Sequence, residues 1–313
     1  LRMGLDSVFH ATTYTTNRSP EHVLFLEECG FTRVILERGL TLDQIKALRS
    51  QTGVALEFFV HGAICVGFSG QCYLSKSMGP RSGNRGGCVQ ACRLTYDLED
   101  ENGKVLAAGR HLLSVPDLNL SGRIGELMDA GIDSFKIEGR LKDESYVRNI
   151  VAYYRGVIDK EIAARDGVKR SSSGRSVPDF TPDPAKSFTR GSSQWMLDGG
   201  RRGMASFDTP KAIGEFIGTV TELNGRGFKI YRAHNLVAGD GICYVAGGEL
   251  RCTNLNGIGG GFLIPNANDE MAKGTKIYRN HDRVFEAAVG KSRMKRVIGV
   301  AAQIVVGKTV RLT

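Results

Sequence analysis

The sequence predicts an α/β fold: half or more of a TIM-like (β/α) barrel with a Cys-rich insertion, followed by a small all-β barrel domain. Three observations predict it. Over the first half, short apolar runs alternate with amphipathic helical stretches, the pattern of parallel βα units. That alternation is interrupted once, by a glycine-rich segment holding four cysteines. Beyond a stretch rich in serine and proline, the helical period gives way to short strands broken by glycine, as in small β-barrels.

The elements follow in order. Residues 7–13 read as a strand. Ser19-Pro20 opens a helix through Glu28, with serine as the N-cap, proline at the first helical position and Gly30 ending it. Residues 33–37 (RVILE) form a buried-type strand. Thr41 caps a second helix to Ser50, with Asp43 and Gln44 suiting its positive end. Residues 54–60 (VALEFFV) are the next strand, and residues 111–115 another after the insertion. A helix over 121–130 ends at Gly131, residues 134–137 (SFKI) form a strand, and a long helix covers 144–163. About four βα units result. A closed barrel needs eight units and about 250 residues, so the expectation is residues 1–164 as a barrel portion whose other half precedes Leu1. Residues 165–186 read as a linker, from Ser171-Ser172-Ser173-Gly174 and Pro178, Pro182 and Pro184. Residues 187–290 form the small β-barrel, with strands over 216–223, 227–231, 241–245 and 276–278. Residues 291–313 read as the start of a truncated C-terminal region.

The 313 residues suffice for a large core, and 41% hydrophobic with 24% charged residues is ordinary for a globular protein. No apolar run is long enough to span a membrane, and no signal-peptide pattern opens the chain, so a cytoplasmic protein is expected. The net charge of +9 fits a solubilising surface or a polyanionic partner such as RNA. Its local clusters are Arg201-Arg202 and residues 291–296.

Of seven cysteines, four fall within the segment HGAICVGFSGQCYLSKSMGPRSGNRGGCVQACRL, residues 61–94, with spacing C-x6-C-x15-C-x3-C. Without a secretory signal, such a group points to a metal site. Thiolates at Cys65, Cys72, Cys88 and Cys92 suit zinc or an iron–sulfur cluster. Only Cys88 and Cys92 match the tight knuckle of structural zinc. Cys29, Cys243 and Cys252 read as packed thiols. Arg81, Arg85 and Arg93 in the same loops are placed to offset a cluster's charge or bind an anion. A flexible polar loop is the plain alternative.

Residues at C-terminal strand ends line the active face of a (β/α) barrel. Glu57 and His61 end the strand before the cysteines, with His61 a general acid/base or hydrogen-bond donor. Lys136, Glu138 and Arg140 follow another strand. Lys136 and Glu138, two apart, point to one face, where a buried pair is costly unless it serves a ligand or each other. His10 and Arg38 are weaker candidates at strand ends. No G-x-S-x-G elbow, H-E-x-x-H helix or evident Cys–His pair is present, and Ser69 lacks a triad partner.

The segments HGAICVGFSGQC and SFKIEGRLKDESYV resemble the collagenase-like peptidase family of unknown catalytic type, family thirty-two of the U class. RSGNRGGCVQACRL, HLLSVPDLNL, FTRGSS and FDTPKAIGEFIG are most similar to its RNA-hydroxylating branch. The resemblance implies a TIM-like barrel followed by a small β domain. It implies a [4Fe–4S] cluster on Cys65, Cys72, Cys88 and Cys92, oxygen-independent hydroxylation of cytidine C5 in ribosomal RNA or its precursor, prephenate as co-substrate, and an electron donor or acceptor. One departure is Arg38-Gly39-Leu40, where the family carries Arg-Glu-Leu. Two other readings stand beside this one: a collagenase-like peptidase, and a non-catalytic RNA-binding subunit with a structural metal.

Overall fold

The computed structural model describes residues 7–200, 204–231, 235–303 and 311–312. The Arg201-Arg202 cluster and most of residues 304–313 therefore lie outside the described residues.

In the first half, β1 (His10–Ala11), α1 (Pro20–Glu28), β2 (Arg33–Ile35), α2 (Leu42–Arg49) and β3 (Ala55–Gly62) alternate as expected. The expected strand at 7–13 shrinks to two residues because the chain turns into a 3₁₀ segment, Thr13–Thr15. Ser19 accepts from the His22 N–H at the start of α1. Thr41 and Gln44 form a full capping box on α2. The cysteine segment holds α3 (Leu74–Ser77) and ends in a hairpin, β4 (Tyr96–Glu99) with β5 (Val105–Arg110). Then come β6 (Asp117–Asn119), α4 (Ile124–Asp129), β7 (Ser134–Ile137) and α5 (Glu144–Ala163), whose N-cap Asp143 accepts from the Tyr146 N–H at 2.8 Å.

Strands β1, β2, β3 and β7 are parallel neighbours in that order. The predicted strand over 111–115 is absent. Those residues turn, because the Arg93 side chain occupies Ser114 Oγ at 2.8 Å and also the Val115 carbonyl, and Pro116 follows without an N–H. The strand that does form, β6, runs antiparallel to the end of β3, pairing His61 with Asn119. Leu56, Phe58 and Val60 of β3 join Val23, Leu26, Ile45, Leu48, Leu127 and Ile150 in one core. Their burial supplies the hydrophobic drive that holds helices to sheet.

The stretch expected as a linker contains β8 (Arg175–Val177). Next, β9 (Ser192–Ser193) pairs parallel with β6. The second half is a closed antiparallel barrel of β10 (Glu215–Asn224), β11 (Gly227–Ile230), β12 (Gly241–Ala246), β13 (Glu249–Gly259), β14 (Phe262–Pro265) and β15 (Lys276–His281). It closes in the order β10-β11-β14-β13-β12-β15. Ile217, Val220, Phe228, Ile242, Leu255 and Ile277 fill it. Gly218, at φ +147° on a bulge of β10, lets that strand bend. Two expectations fail here. Helical structure returns as α6 (Arg283–Lys291), capped by Asp282. Cys243 and Cys252 are not separate packed thiols but a disulfide, because the β12–β13 register sets them directly opposite with Cα atoms 4.2 Å apart. After α6, β16 (Lys295–Val297) returns to pair antiparallel with β8.

Candidate functional site

Alternation along β3 puts Glu57 and Phe59 on the face opposite Leu56 and Phe58, and a register shift between Phe59 and His61 then turns His61 toward Tyr146 and Tyr154 of α5. Glu57 is held from three sides: Ser134 Oγ donates to it at 2.8 Å, Arg33 pairs at 3.4 Å and Lys136 Nζ stands 4.0 Å away. Phe59 carries two cations, the Arg38 guanidinium 4.0 Å and the Lys136 ammonium 5.1 Å from its ring centroid. Arg38 Nε is buried without a hydrogen-bond partner.

Lys136 and Glu138 do not pair with each other. Strand β7 ends at Ile137, and Glu138 just beyond it stands 4.0 Å from Arg38, which shares the Phe59 ring with Lys136, and accepts from the Arg140 backbone N–H at 2.9 Å. Arg140 is itself exposed, and its side chain makes no ion pair. His10 is exposed at the edge strand, opposite Arg33.

His61 is 7% exposed. Tyr154 Oη donates to the Val60 carbonyl at 2.8 Å, so the same oxygen accepts from His61 Nδ1–H at 3.3 Å. The other ring nitrogen, Nε2, has no hydrogen-bond partner among the described residues. Burial holds the imidazole down to about 4, opposed by the Asp117 carboxylate. His61 is therefore neutral near pH 7 and offers Nε2 as an acceptor, not as a donor.

Around it stand residues that the sequence reading missed. Tyr146 stacks at a tilt 6.1 Å from the His61 ring, and burial raises its hydroxyl pKa. Asp117 and Arg190 form a buried ion pair at 3.0 Å. Arg190 Nε also donates to the Pro210 carbonyl at 2.7 Å. Arg190 lies over the Phe188 ring at 4.8 Å, and Lys142 Nζ lies against the same ring at 2.8 Å. Burial, then the Arg190 charge, lowers Lys142 to about 8. Tyr146 and Tyr154 were legible as the inward stripe of α5, where Tyr146, Ile150 and Tyr154 recur every four residues. Nothing in the local sequence joins Asp117 to Arg190, 73 positions apart.

The cysteines sit on loops. Asn84 Oδ1 accepts from the Cys72 N–H at 2.9 Å, and the Gln90 N–H points at Cys88 Sγ from 3.3 Å. Arg93 ties the loop to the body through Ile64, Ser114 and Val115. Cys65 and Cys92 are raised by burial. Arg38 and Arg93 oppose this at Cys65, and Arg93 opposes it at Cys92. Both also feel the other cluster cysteines, so the four thiols share one electrostatic neighbourhood. Gly67 and Gly83 leave room beside them: a Cβ on Gly67 would lie 3.9 Å from Cys72 Sγ, and one on Gly83 3.8 Å from Cys88 Cβ. Soft thiolates in a glycine-lined cradle fit a thiolate-bound metal or cluster. In this conformation no three His, Cys, Asp or Glu side chains among the described residues are gathered tightly enough to hold a metal ion. Arg81 and Arg85 are exposed and make no side-chain ion pair.

The family model for peptidase family U32 matches residues 2–203. The chain belongs to peptidase family U32. The matched stretch contains the parallel strands, the thiol loops and the His61 cluster. Among relatives in the family's company, the chain is similar to the 23S rRNA 5-hydroxycytidine C2501 synthase of Escherichia coli, at 44% identity over 233 residues, which is 74% of this chain and 36% of that protein. It is similar to tRNA hydroxylation protein P1 of Bacillus subtilis at 38% over 164 residues, 50% of this chain and 39% of that one. It is similar to a collagenase of Porphyromonas gingivalis at 34% over 139 residues, 40% of this chain and 34% of that one. The chain thus spans little more than a third of the length of these relatives. No solved structure gives a significant match. No helix among the described residues is long and apolar enough to cross a membrane.

Proposed function

We propose that this chain is part of an RNA hydroxylase that acts on C5 of a cytidine in large-subunit ribosomal RNA. The observation that carries the reading is the 44% identity, over 74% of the chain, to a protein named as a 5-hydroxycytidine synthase. On this reading the four parallel strands belong to one half of a (β/α) barrel, within residues 1–164. Residues 165–186 connect it to the small barrel of 187–290, which helps to grip RNA, and 291–313 begin a further region. Exposed Arg81 and Arg85 face the polyanion.

Cys65, Cys72, Cys88 and Cys92 are the residues that would hold a [4Fe–4S] cluster, with zinc as the alternative. When bound, such a cluster supplies one-electron redox chemistry, which calls for an electron donor or acceptor. Prephenate as co-substrate is carried over from the family resemblance. The remaining residues have separable roles. Neutral His61, oriented by Tyr154, accepts a proton or hydrogen bond at Nε2. Arg38 and Lys136, lying on Phe59, place positive charge along the open face of β3. Glu57 is restrained by Arg33, Ser134 and Lys136, which makes it a positioning group. Glu138 orients Arg38.

The peptidase reading gains less support. Among the described residues no histidine ring hydrogen-bonds a serine or cysteine side chain. Ser69 is buried, with its N–H directed to Glu37. Mass spectrometry of ribosomal RNA from cells lacking the gene tests the proposal. Loss of a hydroxylated cytidine supports it, and an unchanged spectrum sinks it.

A further inference from the structure

Beside His61 lies a second feature that the reading above does not use. Among the described residues Lys142 Nζ has no hydrogen-bond or ion-pair partner, only the rings of Phe188 at 2.8 Å and Tyr146 at 5.6 Å. Arg190 shares the Phe188 ring at 4.8 Å. Its Nε is taken by Pro210 and its Nη1 by Asp117, which leaves Nη2 without a partner among the described residues. Lys142 and Arg190 are each half-buried. Two cations therefore share one aromatic ring, Lys142 in the loop after β7 and Arg190 just before β9. Asp117 pairs with Arg190, and Lys142 feels the carboxylates of Asp117, Asp143 and Glu138 without an ion pair to any of them among the described residues.

The geometry points to a small-oxyanion subsite at Lys142 and Arg190, adjoining His61, with Phe188 as its floor. Lysine supplies a point charge and arginine an oriented N–H pair, the combination suited to a carboxylate or phosphate group. The aromatic floor excludes water from one side, which strengthens charge-assisted hydrogen bonds to a bound anion. The depressed Lys142 ammonium agrees with this, because an arriving anion offsets its burial and the repulsion from Arg190. The oxyanion comes from one of two sources: a free carboxylic acid co-substrate, or a phosphate of the RNA backbone. The role of the subsite in catalysis rests on the hydroxylase reading; its existence does not.

The test is binding. Affinities of malonate and of a short single-stranded RNA are measured by calorimetry for the purified wild-type protein, Lys142→Ala, Lys142→Met and Lys142→Arg. Lys142→Met keeps the packing on Phe188 if Lys142→Ala fails to fold. Removing the charge weakens the true ligand by about tenfold or more, and Lys142→Arg restores most of it. Loss for malonate alone identifies a free acid, and loss for RNA alone identifies a phosphate; either supports the subsite. Unchanged affinity for both in a folded variant overturns it. If rRNA from cells lacking the gene is unaltered while malonate binding still depends on Lys142, the hydroxylase reading falls and the subsite stands.

Discussion

Acid should destabilise this protein through His61 in a way that one substitution removes. The imidazole ordinarily titrates at 6.5, and burial between Tyr146, Tyr154 and Asn119 brings it to about 4. The folded state then binds fewer protons than the unfolded state between those two values. Stability is complete above 6.5 and falls as pH drops through the window toward 4. Taking that shift at face value, the His61 contribution between pH 7 and pH 5 is about 2 kcal/mol. The neighbouring Asp117 carboxylate, which favours the charged form, is already included as the opposing influence. Urea unfolding at both pH values, for wild type and His61→Asn, measures it. The variant should lose about 2 kcal/mol less than wild type on acidification. Equal losses in the two proteins would refute the assignment of a buried, neutral imidazole.

Four other outcomes are expected. Lys142 is depressed to about 8 from 10.5, so the unfolded state binds the extra proton between those values and stability rises as pH climbs through them; Lys142→Met should flatten that slope in thermal melts. Gly62 has φ +102°, and a Cβ there would sit 2.4 Å from the Glu138 carbonyl, so Gly62→Ala should cost at least about 2 kcal/mol in urea unfolding. Arg190→Met strands Asp117 as a buried unpaired charge and should cost about 3–5 kcal/mol, whereas the double change with Asp117→Leu should recover much of it. Cys88→Ala should abolish bound iron in anaerobically purified protein. Iron retained at wild-type stoichiometry would remove Cys88 from the ligand set.

Local physics was the legible part. Ser19-Pro20, Thr41 with Gln44, and Asp143 before a long apolar stripe each start a helix where the capping rules place it, because every one of those contacts spans four residues or fewer. VALEFFV was legible as the strand that carries Glu57 and runs up to His61. Contacts between distant segments were not legible. Arg93 reaching Ser114 and Val115 converts an apolar run into a turn, and no pattern within 111–115 reports that. The β12–β13 register that joins Cys243 to Cys252 passes through a Gly247-Gly248 turn whose type decides which residues face each other. Lys136 and Glu138 meet at the same Arg38–Phe59 cluster without pairing with each other, a division of partners that their spacing does not report. The thiols were legible as candidate ligands from their chemistry, but loop conformation sets how closely they gather, and that is not written in their spacing.

The pairing of β8 with β16 has a topological consequence. Residues 175–177 and 295–297 lie side by side, so the chain on its way into and out of the second half is clasped by a two-stranded tie. The stretch between them is no free excursion, because its strand β9 is built into the body sheet beside β6. The small barrel is thus sewn to the body at several stitches, Lys186–Asp282 at 2.7 Å and the Ser145–Glu286 contact among them, and cannot swivel away without breaking them.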